Sequence, residues 1–387
     1  MPTLTPNENP NDGLTILDDF ADVAAWTATN GAVAAHTDDP VHPLAMRITT
    51  NSGATASIIR DLVFALPGRF VSFWLKRNDA NFDRLVIGLS VNGRAFTQVA
   101  QSTVKREAET VQGQWHRVTV PANLTLSGLT WADLADVRAV RLEVVPKPGT
   151  VAVVDVADLR IHDNPLPKPG VIWQFDDGRA NTYDVAFPIL RRAGFVGSVP
   201  VETGNLGNAN RMVLAQLREL VAAGWEMNSH TVNGTPIGGA AIGTVRSQLR
   251  DSYDFLIDNG FARGAAHFIY PGGSWDAQAL TEVRRHYRTG RTIGAVPGIG
   301  YETPGVADMG LLRPYYFGHA SISLTAATAA VDLLVERRGF AIFCFHNIDE
   351  GTMTQPESWP ADRFAALVAY AAQKGLASYV PSEVWPE

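Results

Sequence analysis

Residues 171–178 read Val171-Ile172-Trp173-Gln174-Phe175-Asp176-Asp177-Gly178, a short apolar run that leads directly into two carboxylates and a glycine. An apolar run of this length is typical of a strand that is buried on both faces, as in a parallel sheet. Glycine permits a tight turn after the strand, which leaves the two aspartates at the strand end. The stretch therefore predicts the first strand of a β/α domain and the start of a functional site.

The chain after this stretch alternates strand and helix patterns. Gly194, Gly224 and Gly260 each follow a predicted helix, and glycine takes the positive φ of a helix C-cap without steric cost. Repeated strand–helix units are joined by right-handed crossovers and form a parallel sheet. The predicted strands are residues 171–175, 197–201, 225–228, 266–270, 292–295, 311–315, 340–345 and 378–380. They are numerous enough for a distorted, TIM-like (β/α) barrel.

The first 164 residues show a different pattern. Short β-branched and aromatic runs such as Phe70–Leu75 and Leu85–Val91 are separated by turn residues, which is typical of an antiparallel β-sandwich. Asn92-Gly93 predicts a two-residue hairpin turn. Three prolines within Asn164–Gly170 cannot join a strand ladder and mark a boundary. The sequence predicts a multidomain chain with a β-sandwich at residues 1–164 and a β/α barrel at residues 165–387.

Composition excludes several classes of protein. The chain has 387 residues, with Lys+Arg 32 against Asp+Glu 39 and a net charge of -7, so it lacks the cationic surface of a nucleic-acid-binding protein. A single cysteine, Cys344, excludes an internal disulfide framework and a cysteine-rich zinc site. No membrane span and no signal peptide are predicted. Localisation stays open, and an extracellular, cell-surface or phage-particle location is compatible with these features.

Polar side chains follow several of the predicted strands. The residues are Asp176 and Asp177 after the first strand, His230 after the third, Tyr270-Pro271-Gly272-Gly273 after the fourth, and His346 after strand 340–345. Active sites of β/α barrels lie at the C-terminal ends of the strands, so these residues are expected to lie close together. Two carboxylates and two imidazoles at one edge suit a hydrolytic or metal site.

From about Pro169 to its end, the sequence resembles the polysaccharide deacetylase family, the NodB-homology domain of carbohydrate esterase family four. The motifs that carry the resemblance are Phe175-Asp176-Asp177-Gly178, Ser229-His230-Thr231, Tyr270-Pro271-Gly272-Gly273 and Phe345-His346. Their order and spacing fit over roughly 55% of the chain, which makes the joint pattern fairly specific.

The resemblance implies a hydrolase that removes acetyl groups from an acetylated polysaccharide or cell-surface glycan, acting on a C–N bond that is not a peptide bond. It implies that Asp176 is the general base and His346 the general acid. It also implies that Asp177 and His230 hold a divalent metal ion, with zinc as the expected ion. Tyr270, Pro271 and Gly272 would form the substrate groove, with the Gly272 N–H facing the developing oxyanion.

The metal-binding motif is atypical. The family has a second metal-binding histidine four residues after His230, and this position is Gly234 here. A catalytic zinc ion normally has three protein ligands. The candidates for the third ligand are Asn233, His267 and His319.

A second departure concerns the arginine that orients the catalytic base in the family. Its expected position is occupied by Ile269. No convincing fourth motif is found either, although Arg313 is a candidate late partner and is assigned to the substrate groove. These losses leave two functions open: an active deacetylase, or a catalytically weakened or inactive deacetylase-like protein that binds glycans. The retained base, acid and two ligands favour activity.

The N-terminal sandwich is predicted to be a carbohydrate- or surface-binding module, or alternatively a structural appendage that forms homo-oligomers. Trp26, Trp74, Trp115 and Trp131 could stack on sugar rings, although Trp74 and Trp115 lie in apolar runs and are expected to be buried. Cys344 is expected to be a buried small hydrophobic residue.

Overall fold

The chain divides into two units within the proline-rich segment. A computed structural model of the protein describes residues 14–120, 123–293, 301–318, 322–351 and 355–386. The described residues up to Pro165 form the N-terminal unit together with Val306–Asp308, and the other described residues form the C-terminal unit. The candidate ligand His319 and part of the predicted strand 292–295 lie outside the described residues.

The N-terminal unit consists of two antiparallel sheets of six strands each. Its strands are β1 (Leu14–Asp18), β2 (Thr27–Thr29), β3 (Gly31–His36), β4 (Ala45–Thr50), β5 (Ala56–Phe64), β6 (Arg69–Arg77), β7 (Phe82–Ser90), β8 (Val99–Arg106), β9 (Trp115–Val120), β10 (Thr125–Ser127), β11 (Val137–Pro146) and β12 (Val153–Asp163). One sheet has the order β3-β4-β12-β6-β9, with β1 paired to β12, and the other has the order β10-β8-β7-β11-β5-β2.

The apolar faces of both sheets contribute to a single buried core. Every second residue of a strand faces the same side, so Phe73 and Leu75 of β6 lie in this core together with Leu85 and Ile87 of β7. The prediction of an antiparallel all-β N-terminal region is confirmed. The predicted two-residue hairpin turn is wrong in length, because β7 and β8 pair as a hairpin whose connection covers residues 91–98.

The tryptophans of this unit are distributed differently from the prediction. Trp26 and Trp131 are buried, whereas Trp74 and Trp115 are only half-buried. Trp74 lies between Phe73 and Leu75, which face the core, and strand alternation therefore turns it to the opposite face. The His42 ring packs against both half-buried tryptophans, at centroid distances of 5.2 Å to Trp74 and 4.6 Å to Trp115.

The C-terminal unit is built on an eight-stranded sheet whose strand pairs are all parallel. The strands of the whole unit are β13 (Gly170–Phe175), β14 (Gly197–Val201), β15 (Glu226–Ser229), β16 (His267–Ile269), β17 (Thr289–Arg291), β18 (Tyr315–Tyr316), β19 (Phe340–Phe345), β20 (Ile348–Asp349), β21 (Trp359–Pro360) and β22 (Ala377–Ser378). Its helices are α1 (Phe187–Arg192), α2 (Leu214–Ala222), α3 (Ile242–Asp258), α4 (Ala262–Ala265), α5 (Ala277–His286), α6 (Leu324–Arg337), α7 (Ala361–Gln373) and α8 (Pro381–Val384).

The order of the sheet is β17-β16-β15-β14-β13-β19-β18, with β22 beside β13, while β20 and β21 form a separate pair. Leu312 makes a parallel bridge to Arg291 at the end of β17, and Tyr315 pairs with Phe343 of β19. Residues 312–316 therefore connect the two ends of the strand order, and the sheet is curled. The prediction of a parallel β/α unit is confirmed. No helix within the described ranges combines the length and the apolar composition that a membrane span requires.

Strand β13 has an apolar side and a polar side. Trp173 and Phe175 pack against Phe364 of α7, at centroid distances of 5.8 and 5.7 Å. Gln174 lies between them and donates hydrogen bonds on the other side, to Ser198 Oγ at 3.2 Å and to Asn228 Oδ1 at 3.3 Å. The side of the sheet that faces away from α7 thus carries buried polar groups close to the C-terminal ends of the strands.

Candidate active site

The ends of β13, β15 and β19 bring the four predicted catalytic and metal-binding residues together. Asp177 Oδ1 lies 3.2 Å from His230 Nε2, and Asp176 Oδ2 lies 4.0 Å from His346 Nε2. Asp176 and His230 are buried, while Asp177 and His346 are partly accessible. The arrangement contains one carboxylate–imidazole pair for the expected metal-binding role, Asp177 with His230, and one for the expected acid–base role, Asp176 with His346.

The backbone after β13 separates the two aspartates. Asp177 has a φ of 72° and Thr231, which follows His230, has a φ of 63°. A left-handed conformation at a residue other than glycine costs about 1 kcal/mol or more. Asp177 is held in it by His230 and by Arg179, whose Nη2 donates to Oδ2 at 2.7 Å. The turn therefore directs Asp176 and Asp177 to different partners.

His230 is oriented by a backbone group. Its Nδ1 lies 2.9 Å from the carbonyl oxygen of Ile269, and since a carbonyl can only accept, Nδ1 carries the proton. Nε2 is the nitrogen that faces Asp177, as expected for a metal-binding histidine. Burial alone would lower the pKa of His230 and raise that of Asp177. The hydrogen bond and the charges between them reverse both directions, so that the pKa of Asp177 lies well below its usual range.

A third potential ligand, Glu202, lies beside this pair. It directly follows β14, and its carboxylate, that of Asp177 and the imidazole of His230 offer ligand atoms within 4.8 Å of one another. Glu202 Oε2 accepts hydrogen bonds from Arg211 Nη2 at 2.5 Å and from Asn205 Nδ2 at 2.7 Å. Glu202 is not among the residues expected from the sequence, although its position directly after a predicted strand is a usable signal.

Gly234, the position of the missing histidine, faces Glu202. A Cβ atom at Gly234 would overlap with the Glu202 carboxylate, with Cδ at 2.8 Å, and Gly234 itself has a φ of +72°. The space that a side chain at position 234 would occupy is therefore filled by Glu202.

Asn233 and His267, the two candidates for the third ligand that lie within the described residues, do not join this group. The Asn233 amide oxygen accepts hydrogen bonds from the Thr235 N–H at 3.3 Å and from its hydroxyl at 2.5 Å. His267 is the first residue of β16, at the opposite end of the strand from the site, and its Nδ1 lies 2.9 Å from Thr289 Oγ1. Burial lowers the pKa of His267 to about 3, as expected for a neutral core histidine.

The partner of Asp176 is Arg291 at the end of β17. Its Nη2 contacts Asp176 Oδ1, and its Nε donates to Gln174 Oε1 at 2.9 Å. Both side chains of this ion pair are buried. Arg313, the candidate late partner and groove residue, donates from Nη2 to Glu302 Oε1 at 3.3 Å. Arg291 is not a candidate from the sequence because the predicted strand begins one position later, at residue 292.

Two further side chains surround the Asp176–His346 pair. The Cys344 thiol lies 3.5 Å from Asp176 Oδ2, and burial raises the pKa of this thiol, so it stays protonated. Cys344 is buried, as expected from the sequence. The Tyr316 ring meets the His346 ring edge-on at a centroid distance of 5.6 Å.

The predicted groove residues separate into a buried part and an exposed part. The Tyr270 ring is buried and packs against Phe268 at 5.0 Å, so it lies in the core and does not line a groove. Pro271–Gly273 forms a short turn after β16, in which Gly272 is exposed and has a φ of 58°. The Gly272 backbone is accessible to a ligand, as the oxyanion role requires.

The donor set fits a divalent metal ion. Two carboxylates and one imidazole with its Nδ1 proton directed at a carbonyl are common ligands of zinc, manganese and cobalt. Asp177, Glu202 and His230 form this set. The C-terminal unit therefore contains a candidate metal-binding group next to a candidate acid–base pair.

Comparison with known proteins relates part of the C-terminal unit to one family. Residues 163–289 match the polysaccharide deacetylase family, so this part of the chain is a polysaccharide deacetylase domain. The matched span includes Asp176, Asp177, Glu202 and His230 and ends before His346. The putative polysaccharide deacetylase YxkH of Bacillus subtilis (strain 168) is 25% identical over 145 residues, which are 37% of this chain and 50% of that protein. The chain therefore spans about half the length of this curated relative.

Similar solved structures are found as well. The deacetylase PplD of Streptococcus pyogenes, solved in complex with acetate, is 30% identical, with a TM-score of 0.33 and coverage of 35% of this chain and 61% of that chain. A family 11 carbohydrate-binding module from Clostridium thermocellum, in complex with a mixed-linked tetrasaccharide, is 15% identical, with a TM-score of 0.32 and coverage of 39% and 96%.

Proposed function

We propose that the C-terminal unit is a metal-dependent hydrolase that removes acetyl groups from an acetylated polysaccharide or cell-surface glycan, and that its sheet forms a distorted barrel around this site. The observation that carries the proposal is the pairing of Asp176 Oδ2 with His346 Nε2 at 4.0 Å, beside the Asp177–His230 pair at 3.2 Å. Amide hydrolysis needs an electrophile and separate proton acceptor and donor, and these two pairs offer all three.

The proton transfers follow from the contacts of Asp176 and His346. A metal ion at Asp177 and His230 would polarise the acetyl carbonyl and acidify the attacking water. Arg291 holds Oδ1 of Asp176, so Oδ2 takes the proton from the water. His346 Nε2 gives its proton to the departing nitrogen as the C–N bond breaks, which yields acetate and a free amine. The backbone N–H of Gly272, an exposed residue, is the proposed donor to the oxyanion.

Two features support activity over the inactive, glycan-binding alternative. The arginine missing at position 269 is matched by Arg291. Arg291 lies on β17, the strand next to β16, and contacts Asp176 from there. The carboxylate of Glu202 lies where the second metal-binding histidine is missing. A chain that had lost its chemistry would have no reason to keep buried charges in these positions, because burial of a charge is costly.

The N-terminal unit is proposed to be a β-sandwich that binds carbohydrate. Trp74 and Trp115 support this proposal because they are half-buried on the side of β6 and β9 that faces away from the core. Lys76 and Arg117 lie against their rings, and such aromatic and polar surfaces can stack on sugar rings. Retention of the full chain on immobilised acetylated polysaccharide tests this assignment.

The substitution Asp176→Asn tests the enzymatic proposal. We expect acetate release from acetylated glycans to fall by about 100- to 10,000-fold, the usual contribution of a general base. The asparagine oxygen can still accept from Arg291, but the variant loses one charge of a buried ion pair, so thermal unfolding is measured to show that the fold is kept. Asp251→Asn on α3, which is exposed, is the matched control and should retain full activity. Acetate release by neither wild type nor control under several divalent ions would contradict the proposal and favour the glycan-binding alternative.

A further inference from the structure

We propose that Glu202 is the third metal ligand of this chain and replaces the histidine missing at position 234. The inference rests on the proposed function, because it completes the metal site on which deacetylation would depend. Its starting observation is that Asp177, Glu202 and His230 offer three ligand atoms within 4.8 Å of one another. They come from the ends of the adjacent strands β13, β14 and β15, so the sheet itself sets their spacing.

The two carboxylate oxygens of Glu202 have different surroundings. Arg211 and Asn205 both donate to Oε2, and Oε1 is the atom nearest to the Cβ position of Gly234. Asp177 is held in the same way, since Arg179 donates to Oδ2 and Oδ1 faces His230. Each carboxylate therefore has one oxygen held by an arginine, while Asp177 Oδ1 faces His230 and Glu202 Oε1 faces the position of Gly234.

The backbone fixes Glu202 opposite Gly234. The Thr203 N–H donates to the Thr231 carbonyl at 3.3 Å, and the Gly204 N–H donates to the Val232 carbonyl at 2.6 Å. These two bonds join the segment after β14 to the segment after β15. Since a Cβ at position 234 would overlap with Glu202, a histidine at position 234 and a glutamate at position 202 in this rotamer exclude each other.

The exchange of an imidazole for a carboxylate changes the chemistry of the site. Imidazole suits zinc, whereas carboxylate oxygens also suit harder cations such as Mn²⁺. We therefore expect this site to discriminate less strongly for Zn²⁺ over Mn²⁺ than a site with one carboxylate and two imidazoles.

Calorimetric titration of the full chain tests the assignment. The protein is stripped of metal with a chelator, dialysed, and titrated separately with MnCl₂ and ZnCl₂ at neutral pH. Glu202→Gln keeps the size and the hydrogen bonds of the side chain but lowers its strength as a ligand. We expect it to weaken Mn²⁺ binding at least about 10-fold. Losing a residue that only hydrogen-bonds to a metal ligand already lowers metal affinity by about this factor, and Glu202 is proposed to be a ligand itself. Glu336→Gln on α6 makes the same change at an exposed glutamate outside the metal group and should bind as wild type does.

A ligand exchange provides the complementary variant. Gly234→His alone should not tighten metal binding, because the new side chain meets Glu202. Glu202→Ala combined with Gly234→His should recover metal binding with a higher ratio of Zn²⁺ to Mn²⁺ affinity than wild type. Because a histidine at position 234 must adopt a left-handed conformation, the decisive variant is Glu202→Gln, with thermal unfolding as the check on its fold.

Equal Mn²⁺ affinity of wild type and Glu202→Gln would overturn the inference, and so would a wild type that binds neither ion. The acetate assay separates this result from failure of the proposed function. Metal binding through Glu202 without acetate release would support the inference and contradict the deacetylase proposal. Acetate release together with unchanged metal affinity in Glu202→Gln would overturn the inference alone.

Discussion

Asp176 is the residue on which the proposed chemistry depends, and its environment is set by a buried ion pair. Arg291 contacts Asp176 while its Nε donates to Gln174 at 2.9 Å and its Nη1 donates to the Thr292 carbonyl at 3.2 Å. Removing one member of a buried ion pair typically costs about 3–5 kcal/mol, since it leaves the other charge uncompensated. Arg291 therefore acts as a positioning residue for the proposed base and also stabilises the end of the sheet.

The substitution Arg291→Lys should separate these two roles. Lysine keeps the positive charge, but its single ammonium cannot reach Gln174, Asp176 and the Thr292 carbonyl in the same planar geometry. We expect kcat for acetate release to fall by about 10- to 100-fold, since small displacements of a catalytic group have effects of this size. KM should change little, because Arg291 is buried and acts in this proposal only through its contact with Asp176.

The matched control for Arg291→Lys is Arg246→Lys. Arg246 on α3 makes a bidentate contact with Glu282 and is not part of the candidate site. Its replacement should leave both kinetic constants unchanged. An equal loss in kcat in both variants would mean that Arg291 has only a structural role.

At the scale of elements, the segments after β14 and β15 lie side by side at the candidate metal-binding group. Gly234 lies in the second of these segments, and its φ of +72° and its contact with Glu202 make it sensitive to any side chain. Gly239, five residues later, has a similar φ of +78° but open space around its Cβ position. The two glycines therefore separate the effect of backbone conformation from that of contact with Glu202.

Gly234→Ala and Gly239→Ala should both lower the free energy of unfolding by roughly 1 kcal/mol, because alanine is disfavoured at positive φ. Only Gly234→Ala should also displace Glu202 and weaken Mn²⁺ binding. Calorimetric titration and thermal unfolding of both variants measure the two effects. Similar metal affinities in the two variants would show that position 234 does not influence the metal site.

The same elements show what sequence reasoning can and cannot achieve. The strands β13 and β19 are almost uniformly apolar and lead into Asp176 and His346, so both the strands and their polar ends are predictable. Strand β17, Thr289–Arg291, is polar, and its burial depends on long-range contacts such as the Arg291–Asp176 pair. No local pattern reports a contact of that kind, and the predicted strand therefore begins too late in the chain.

Glu202 illustrates a different limit. Its position after β14 is readable, but its relation to Gly234 depends on the pairing of β14 with β15, which joins residues far apart in the sequence. A motif read along one segment shows that a histidine is missing. Only the folded sheet shows which neighbouring side chain fills the space.

At the scale of the whole molecule, two buried histidines should make stability depend on pH. Burial lowers the pKa of His162 to about 4 in the N-terminal unit and that of His267 to about 3 in the C-terminal unit. In the unfolded chain a histidine takes up its proton near pH 6.5. Between about pH 6.5 and the folded pKa the unfolded state binds more protons, so stability falls as the pH is lowered through this window.

The substitution His267→Gln should remove one part of this pH dependence. Each buried histidine should cost about 1 kcal/mol of stability between pH 6.5 and pH 5.5, since one pKa unit corresponds to about 1.4 kcal/mol. Scanning calorimetry of wild type and variant at pH 7 and pH 5.5 measures the difference. The variant should lose less stability on acidification, and an equal loss in both proteins would contradict the assignment of a neutral His267 in the folded state.

The pairing of β13 also has a consequence for synthesis of the chain. One edge of strand β13 pairs with β14, and its other edge pairs with β19 and β22. During synthesis, residues 170–175 leave the ribosome long before residues 340–345 and 377–378, which pair with that second edge. Pairings between distant segments form slowly, and an unpaired strand edge is prone to aggregation. Asp176 and Asp177 therefore remain at the end of a half-paired strand until His346 is made. The nascent C-terminal unit should need protection by chaperones until most of its length has been translated.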